Sequence, residues 1–592
     1  MRSVGNGQKF SGAMHAALAA IPVVVVMACC GAVRLAPTGA RPQPRGARPY
    51  LQPFGIGADA HTGATRASLT KWIPQMQAIG IRTCRSVNMW WGGIEPKPGK
   101  WNWANLDRQL AYMKAHHIQT GGLLLGNVKW DKKDRPGTLP VNDLPAWRAY
   151  VSAVVRHCQG KVNHWEVWNE PPNGTGPHQT PADYAKIVIA TYNAAKAANP
   201  HCMVGLAAKS VDINYLEQAI RAGAKDHFDY ITLHPYEALG NVMHQGQEAV
   251  FMSMVPTLRK MLRAVDPAQV HVPVVFTELG CNASPNPALQ ADALVKAYTM
   301  GIAQGVACID WFEGMDGDSG PMGLLQANGA PRPAYTAMAQ MIKYIGEHPV
   351  YLGWVLLRGK DYGFVFHGPH GPVLSAWAPR GEQTKISFGG RVRIINPLTG
   401  KAIRAAHYTL GATPILALGV PQSLIRHARA DKRKPFPWDG SYTHAKSVSI
   451  TMGKIIKSNG LHLLSSAAIA REVVAYGGSA RSGNVPGGLV FEVDPNFLSY
   501  TPTPIEITAL VRRDRAGDPA RVILYYESPT SYEGANQKAP AYRVPAGKGW
   551  HKAVWKISND QFVSMWGYNF RLNAGRYFIK RVAVKKLRRK GH

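Results

Sequence analysis

Residues 51–345 predict an α/β chain segment closed as a (β/α)8 TIM barrel, and three observations carry that prediction. Short β-rich runs alternate with segments of helical period. Eight such units fill a length close to the roughly 250 residues that the architecture typically takes. Two short carboxylate motifs, Trp168-Asn169-Glu170 and Thr277-Glu278-Leu279-Gly280, fall where strands of such a barrel would end.

In chain order the expected strands are Phe54 to Ala60, Ile81 to Val87, Gln119 to Leu125, His164 to Val167, Met203 to Ala207, Phe228 to Leu233, Val272 to Thr277 and Val306 to Phe312. Between them Leu106, Leu110 and Met113 recur at helical spacing. So do Trp147, Tyr150, Val151, Val154, Val155 and Cys158, which gives each segment one apolar face to lay against a sheet. After Tyr344 the pattern changes. Trp354 to Leu357, Gly363 to His367, Pro372 to Ala378, Arg391 to Asn396 and Thr413 to Leu418 are β-like runs broken by Gly, Pro and Asn, and predict a small β-sandwich over residues 346–425. The charged stretch Arg426 to Asp439 predicts a linker at 426–440. From 441 to 588 alternation resumes, with Ile505, Ile507, Ala509 and Val511 on one face and Ala553, Trp555 and Ile557 on another, as in a jelly-roll-like all-β module.

The first 40 residues read as a leader. Arg2 and Lys9 precede an apolar run from Ala16 to Val33 that Pro22 interrupts, followed by small residues up to Ala40. A secretory signal places the protein outside the cytoplasm, extracellular or periplasmic. A retained membrane anchor and a lipoprotein signal ending Val26-Met27-Ala28-Cys29 are the alternatives. Cys84, Cys158, Cys202, Cys281 and Cys308 lie beyond the leader and lack metal-site spacing, so neither a metal nor another cofactor is expected. Cys158 and Cys202 each precede an expected strand and are a candidate disulfide.

Net charge is +32 over 592 residues, and residues 421–592 hold 28 Lys and Arg against 11 Asp and Glu. That excess favours an anionic partner such as an acidic polymer, or else a solvated surface. A nucleic-acid-binding protein is the weakest reading, because charge alone supports it: no helix-turn-helix, RNA-recognition signature or zinc-finger spacing is present.

Two carboxylates delivered from different strands to one cleft are what glycosidic hydrolysis requires, one protonated to release the leaving oxygen and one ionised to attack or to activate water. Arg85 and Tyr236 are placed to hold one of them ionised, a cation and a hydroxyl donor both favouring the charged form. His234 lies two residues before Tyr236 and shares its side of the strand. Trp90, Trp91 and Trp130 are candidates for stacking on sugar rings. A carbohydrate-binding protein on an inactive hydrolase fold is the rival from another class.

The segment from Phe54 to Tyr344 resembles the clan A glycoside hydrolases, retaining enzymes with an Asn-Glu pair ending strand four and a Glu ending strand seven. The stretch from Trp90-Trp91-Gly92-Gly93 through Trp101-Asn102-Trp103 to Leu106-Asp107 is similar to that clan's turn and helix after strand two. The likeness is to the family of β-xylosidase and α-L-iduronidase and to cellulase-like exopolysaccharide hydrolases. It implies that Glu170 is the acid/base, Asn169 the partner of the sugar 2-hydroxyl, Glu278 the nucleophile and Trp311 an aromatic floor. It also implies carboxyl groups about 5 to 5.5 Å apart, a carbohydrate polymer as partner, and a carbohydrate-binding role for the jelly-roll module. Some relatives carry a cleft histidine on strand three. Here His116 and His117 precede that strand, and Gly126, Asn127 and Trp130 stand at its far end.

Overall fold

The computed structural model describes residues 50, 52–57, 66–85, 89–135, 137–172, 179–317, 319–464, 472–475 and 478–587. The leader lies outside these, as do Asp59 and His61, which end the expected first strand.

Eight parallel strands close into a barrel: β1 (Phe54–Gly57), β2 (Thr83–Arg85), β3 (Gln119–Leu124), β4 (Val162–Val167), β5 (Met203–Ala208), β6 (Tyr230–Leu233), β7 (Val274–Leu279) and β8 (Val306–Trp311). β8 returns to β1, with Phe54 opposite Ile309. The apolar helical faces read from the sequence do pack inward: the helix Leu144–His157 buries Trp147, Tyr150, Val151, Val154 and Val155. Its start is fixed by Asp143, whose carboxylate accepts from the Ala146 N–H. Inside the barrel, small residues make room for large ones on the next strand. A side chain at Gly205 would collide with the Tyr230 ring, and one at Gly55 with the Asp310 carboxyl. Both are close approaches that only glycine permits.

The expected disulfide does not form. Cys158 and Cys202 are free thiols, each buried in the layer between helices and strands. Burial pushes them up to about 12 and about 11, so they act as small apolar side chains.

The middle region is an antiparallel sheet of six strands, β9 (Val350–Leu357), β10 (Asp361–Gly368), β11 (Gly371–Trp377), β12 (Thr384–Ile395), β13 (Ala402–Leu410) and β14 (Ile415–Leu418), in the order β13-β12-β14-β11-β10-β9. The layers that cover it are not a second sheet. Trp354, Phe364, Phe366 and Trp377 join the barrel's core on one face. Val355, Val365 and Leu374 pack with Ile425 and Ala428 of the helix Gln422–Asp431 on the other. The expected linker is therefore corrected: Arg426 to Asp431 is helical, and Phe436 stacks on Phe364 with ring centroids 5.4 Å apart. Charge and proline suggested a tether, but the apolar face of the helix and Phe436 anchor the segment.

The last module is two facing antiparallel sheets of seven and five strands with a separate two-stranded ribbon. Val448, Ile450, Ile507 and Val582 from one sheet meet Leu489, Phe491 and Phe570 from the other in one core. The module docks on the barrel through a buried polar seam. Gln561 Nε2 donates to Asn214 Oδ1 at 2.8 Å and Glu217 Oε2 at 2.7 Å. Asn214 in turn donates to the Ser528 carbonyl at 3.1 Å. The Glu533 N–H donates to Asp212 at 2.8 Å. Among the described residues no helix is long and apolar enough to cross a membrane.

Candidate active site

The carboxyl ends of β2, β4, β6 and β7 bring one polar cluster together. Arg85, the last residue of β2, is 5% exposed and uses three nitrogens on three partners. Its Nε donates to Glu166 Oε2 at 2.7 Å, its Nη2 to Asn169 Oδ1 at 2.8 Å, and its Nη1 pairs with Glu278 Oε1. Tyr236 OH donates to the other Glu278 oxygen at 3.1 Å. Glu278 therefore has a guanidinium on one oxygen and a phenol on the other, which fix the orientation of its carboxyl group. Burial, the charge of Glu278 and the hydrogen bond to it push the Tyr236 hydroxyl well above its usual range, so it remains a donor.

Glu170 lies across from this pair. Its Oε1 is 2.8 Å from His234 Nδ1, and His234 Nε2 is 3.0 Å from Thr277 Oγ1. His234 Nδ1 also stands 3.6 Å from Glu278 Oε2, which puts the imidazole between the two glutamates. Burial opposes its charge, but the Glu278 carboxylate and hydrogen bonds to Glu166 and Glu170 push it up to about 9. Trp168 and Glu170, on either side of Asn169, both adopt positive φ, 68° and 49°. Left-handed backbone at two non-glycine residues is strain of the kind that clusters at functional sites.

Glu166 is the residue that the sequence reading missed. It is 2% exposed and accepts from Arg85, Thr232 at 2.8 Å and Thr277 at 3.0 Å. Burial alone would raise its carboxyl, but Arg85 and His234 outweigh that and bring it down to about 2. A signal did exist, because Glu166 shares the inward face of β4 with His164 and lies four residues before Glu170.

The aromatic candidates divide. Trp90 is 37% exposed and lies over Gly126, where an added side chain would strike its indole. Trp130 is half-buried, with its indole N–H on the Glu95 carbonyl at 2.9 Å. Trp91 and Trp311 offer no face to a ligand, since both are completely buried. Trp91 stacks on Tyr150 with centroids 5.3 Å apart and donates to Glu95. Trp311 fills the apolar core around β1, β7 and β8. The loop carboxylates Glu313 and Asp316 serve the loop itself. Glu313 accepts from Gly317 N, and Asp316 forms a bidentate pair with Arg332.

One atom each of Glu170, His234 and Glu278 lie within 4.8 Å of one another, close enough for a metal ion. The donor set fits one poorly, because Arg85 already places a fixed cation on Glu278 and the His234 nitrogen is committed to Glu170.

Residues of the last module reach this end of the barrel. Lys209, whose N–H donates to the carbonyl of Pro171 next to Glu170, carries its ammonium over the Trp566 ring of the module, 5.4 Å from the centroid. Ser210 Oγ lies 2.8 Å from Glu237, next to Tyr236, and 3.0 Å from the carbonyl of Met565.

No protein-family model matches the chain, and no curated protein matches it. Solved structures do. A family 39 glycoside hydrolase from the gut symbiont Bacteroides cellulosilyticus WH2 is 18% identical, with a TM-score of 0.52 over 62% of this chain and 81% of its own. A monomeric β-xylosidase from Caulobacter crescentus CB15 is 15% identical, with a TM-score of 0.43 over 91% of this chain and 97% of its own. The first likeness establishes a shared fold.

Proposed function

We propose that this chain is a retaining O-glycosyl hydrolase acting on a carbohydrate polymer, with Glu278 as nucleophile and Glu170 as acid/base. The observation that carries the reading is the facing pair itself: carboxylate oxygens of Glu170 and Glu278 lie within 4.8 Å of each other at the ends of β4 and β7. That spacing suits direct attack, whereas inversion needs about 6.5 to 9.5 Å between the carboxyl groups to admit a water. Glu278, held in place by Arg85 and Tyr236, attacks the anomeric carbon and forms a glycosyl ester as the leaving oxygen takes a proton from Glu170. Glu170 then removes a proton from the water that cleaves the ester. Asn169, oriented by Arg85, is the donor for the 2-hydroxyl.

Supporting roles follow the same geometry. Trp90 is the candidate sugar platform. The leader, if cleaved, delivers the enzyme outside the cytoplasm, and the jelly-roll-like module holds it on its polymer. The test is reducing-end release from a panel of neutral and acidic polysaccharides, with wild type beside Glu278→Ala. Release by wild type and none by the variant is the expected result. Equal release by both overturns the assignment of the nucleophile. Binding without release by either favours the inactive binding protein.

A further inference from the structure

The seven-stranded sheet of the last module has one face in the module's core and one in solvent. Val448, Ile450, Ile507, Ala509, Val582, Val584, Ala553 and Trp555 are buried, so the residues between them point outward. Cross-strand pairing arranges these outward residues in rows. One row runs Lys457, Thr451, Arg581, Leu510, Lys552 across the strands Ile456–Asn459, Ser447–Met452, Tyr577–Lys586, Ile505–Arg513 and His551–Ile557. The next runs Ser449, Ala583, Thr508, Val554, and a third runs Ser447, Lys585, Glu506, Lys556.

Lys457, Lys552, Lys556, Arg581 and Lys585 are all exposed, and Glu506 is the one acid in these rows. Among the described residues none of the five cations has an ion-pair partner. Within a row the cations stand two strands apart, about 9 to 10 Å. Between the cations stand Thr451, from Lys457 to Arg581, Leu510, from Arg581 to Lys552, and Glu506, from Lys585 to Lys556; Ser449 and Thr508 in the neighbouring row add hydroxyls for hydrogen bonds.

We propose that this face is a docking surface for an acidic polysaccharide carrying one carboxylate per disaccharide. Charge complementarity supplies the attraction, and the spacing selects the polymer: two strands match the span of two sugar rings. Phosphates of a nucleic-acid strand recur about every 3.4 Å, far more densely than these cations. A lipid surface would be met by aromatic or long apolar side chains between the cations, and the rows hold Leu510 and Val554 alone. The choice of a sugar polymer rests on the barrel's reading as a polysaccharide hydrolase.

The experiment uses the full chain as Glu278→Ala, so that polymer is not consumed, with and without Lys552→Gln/Arg581→Gln/Lys585→Gln. Affinity is measured over a salt series for hyaluronan, carboxyl-reduced hyaluronan, a single-stranded oligonucleotide and phosphatidylglycerol vesicles. The expected result is hyaluronan binding that weakens about tenfold or more with the three Gln exchanges and is absent for the reduced polymer. The charge-conserving exchange Lys552→Arg/Arg581→Lys/Lys585→Arg keeps it. Equal affinity with and without the Gln exchanges overturns the proposal, as does tighter binding of the oligonucleotide or the vesicles than of hyaluronan. Turnover is scored separately, with Glu278 intact, as reducing-end release from the panel of neutral and acidic polysaccharides. Absent turnover with charge-dependent hyaluronan binding defeats the barrel's reading alone, and the converse defeats the docking face alone.

Discussion

His234 Nδ1 lies 2.8 Å from Oε1 of Glu170, and the same nitrogen lies 3.6 Å from Glu278 Oε2. The charged groups around the ring are Glu166 on β4, Glu170 after it, Glu278 on β7 and Arg85 on β2. Their balance pushes the imidazole up to about 9, so it holds a proton at neutral pH. The hydrogen bond to Glu170 makes a proton available along it when the leaving oxygen departs. Activity is therefore expected to persist as pH rises and to fall as His234 loses its proton through about 9. In His234→Asn the alkaline limb of kcat/KM moves to lower pH by about one unit or more, because Glu170 alone must then keep the proton. An unmoved limb defeats this role.

On the proposed mechanism, Glu170→Gln removes the proton donor and leaves the partners of Glu278 in place. The expected loss in kcat is about 10²- to 10⁴-fold on substrates with poor leaving groups. The loss should be much smaller on aryl glycosides with acidic phenols, whose departure needs no proton. Steady-state kinetics on both substrate types check the contrast.

Arg85→Met leaves the Glu166 carboxylate buried without its guanidinium. Breaking a buried pair in this way costs about 3 to 5 kcal/mol, and denaturant unfolding measures it. Arg85→Lys is expected to recover only part of that, since an ammonium cannot span Glu166, Asn169 and Glu278 as the planar fork does.

Glu166 also sets an acid limit. Its folded-state value is depressed to about 2, against about 4.3 for an unperturbed glutamate. A depressed carboxyl contributes stability that is present above the unfolded value and lost as pH falls through the folded one. Stability is thus expected to decline between about pH 4 and 2, and Glu166→Gln to flatten that part of the curve. Thermal unfolding across a pH series decides it.

At the seam with the last module, Gln561→Leu leaves Asn214 and Glu217 buried without a shared donor. A loss of about 1 to 3 kcal/mol is expected. It should appear in a single unfolding transition for barrel and module, which calorimetry resolves.

All eight barrel strands were legible in the sequence because each is a short apolar run between segments of clear helical period. Glu170 and Glu278 were legible because they end such runs. Glu166 was passed over because it sits inside a run, where a charged residue reads as an exception until Arg85, 81 positions earlier, is seen to neutralise it. Trp91 and Trp311 misled for the opposite reason: an indole looks the same in sequence whether it faces a ligand or fills a core. The layers covering β9–β14 were hidden because they come from distant chain segments, the barrel wall and the helix Gln422–Asp431.

Ser210 touches both Glu237, beside the tyrosine that steadies Glu278, and the carbonyl of Met565 in the last module. The β-domain is accordingly no detachable cassette. A chimaera that replaced it with another β-domain would take away a brace of the loops that carry the candidate site. Grafts that keep residues 528–536 and 561–568 in register with the barrel are the ones that would preserve turnover.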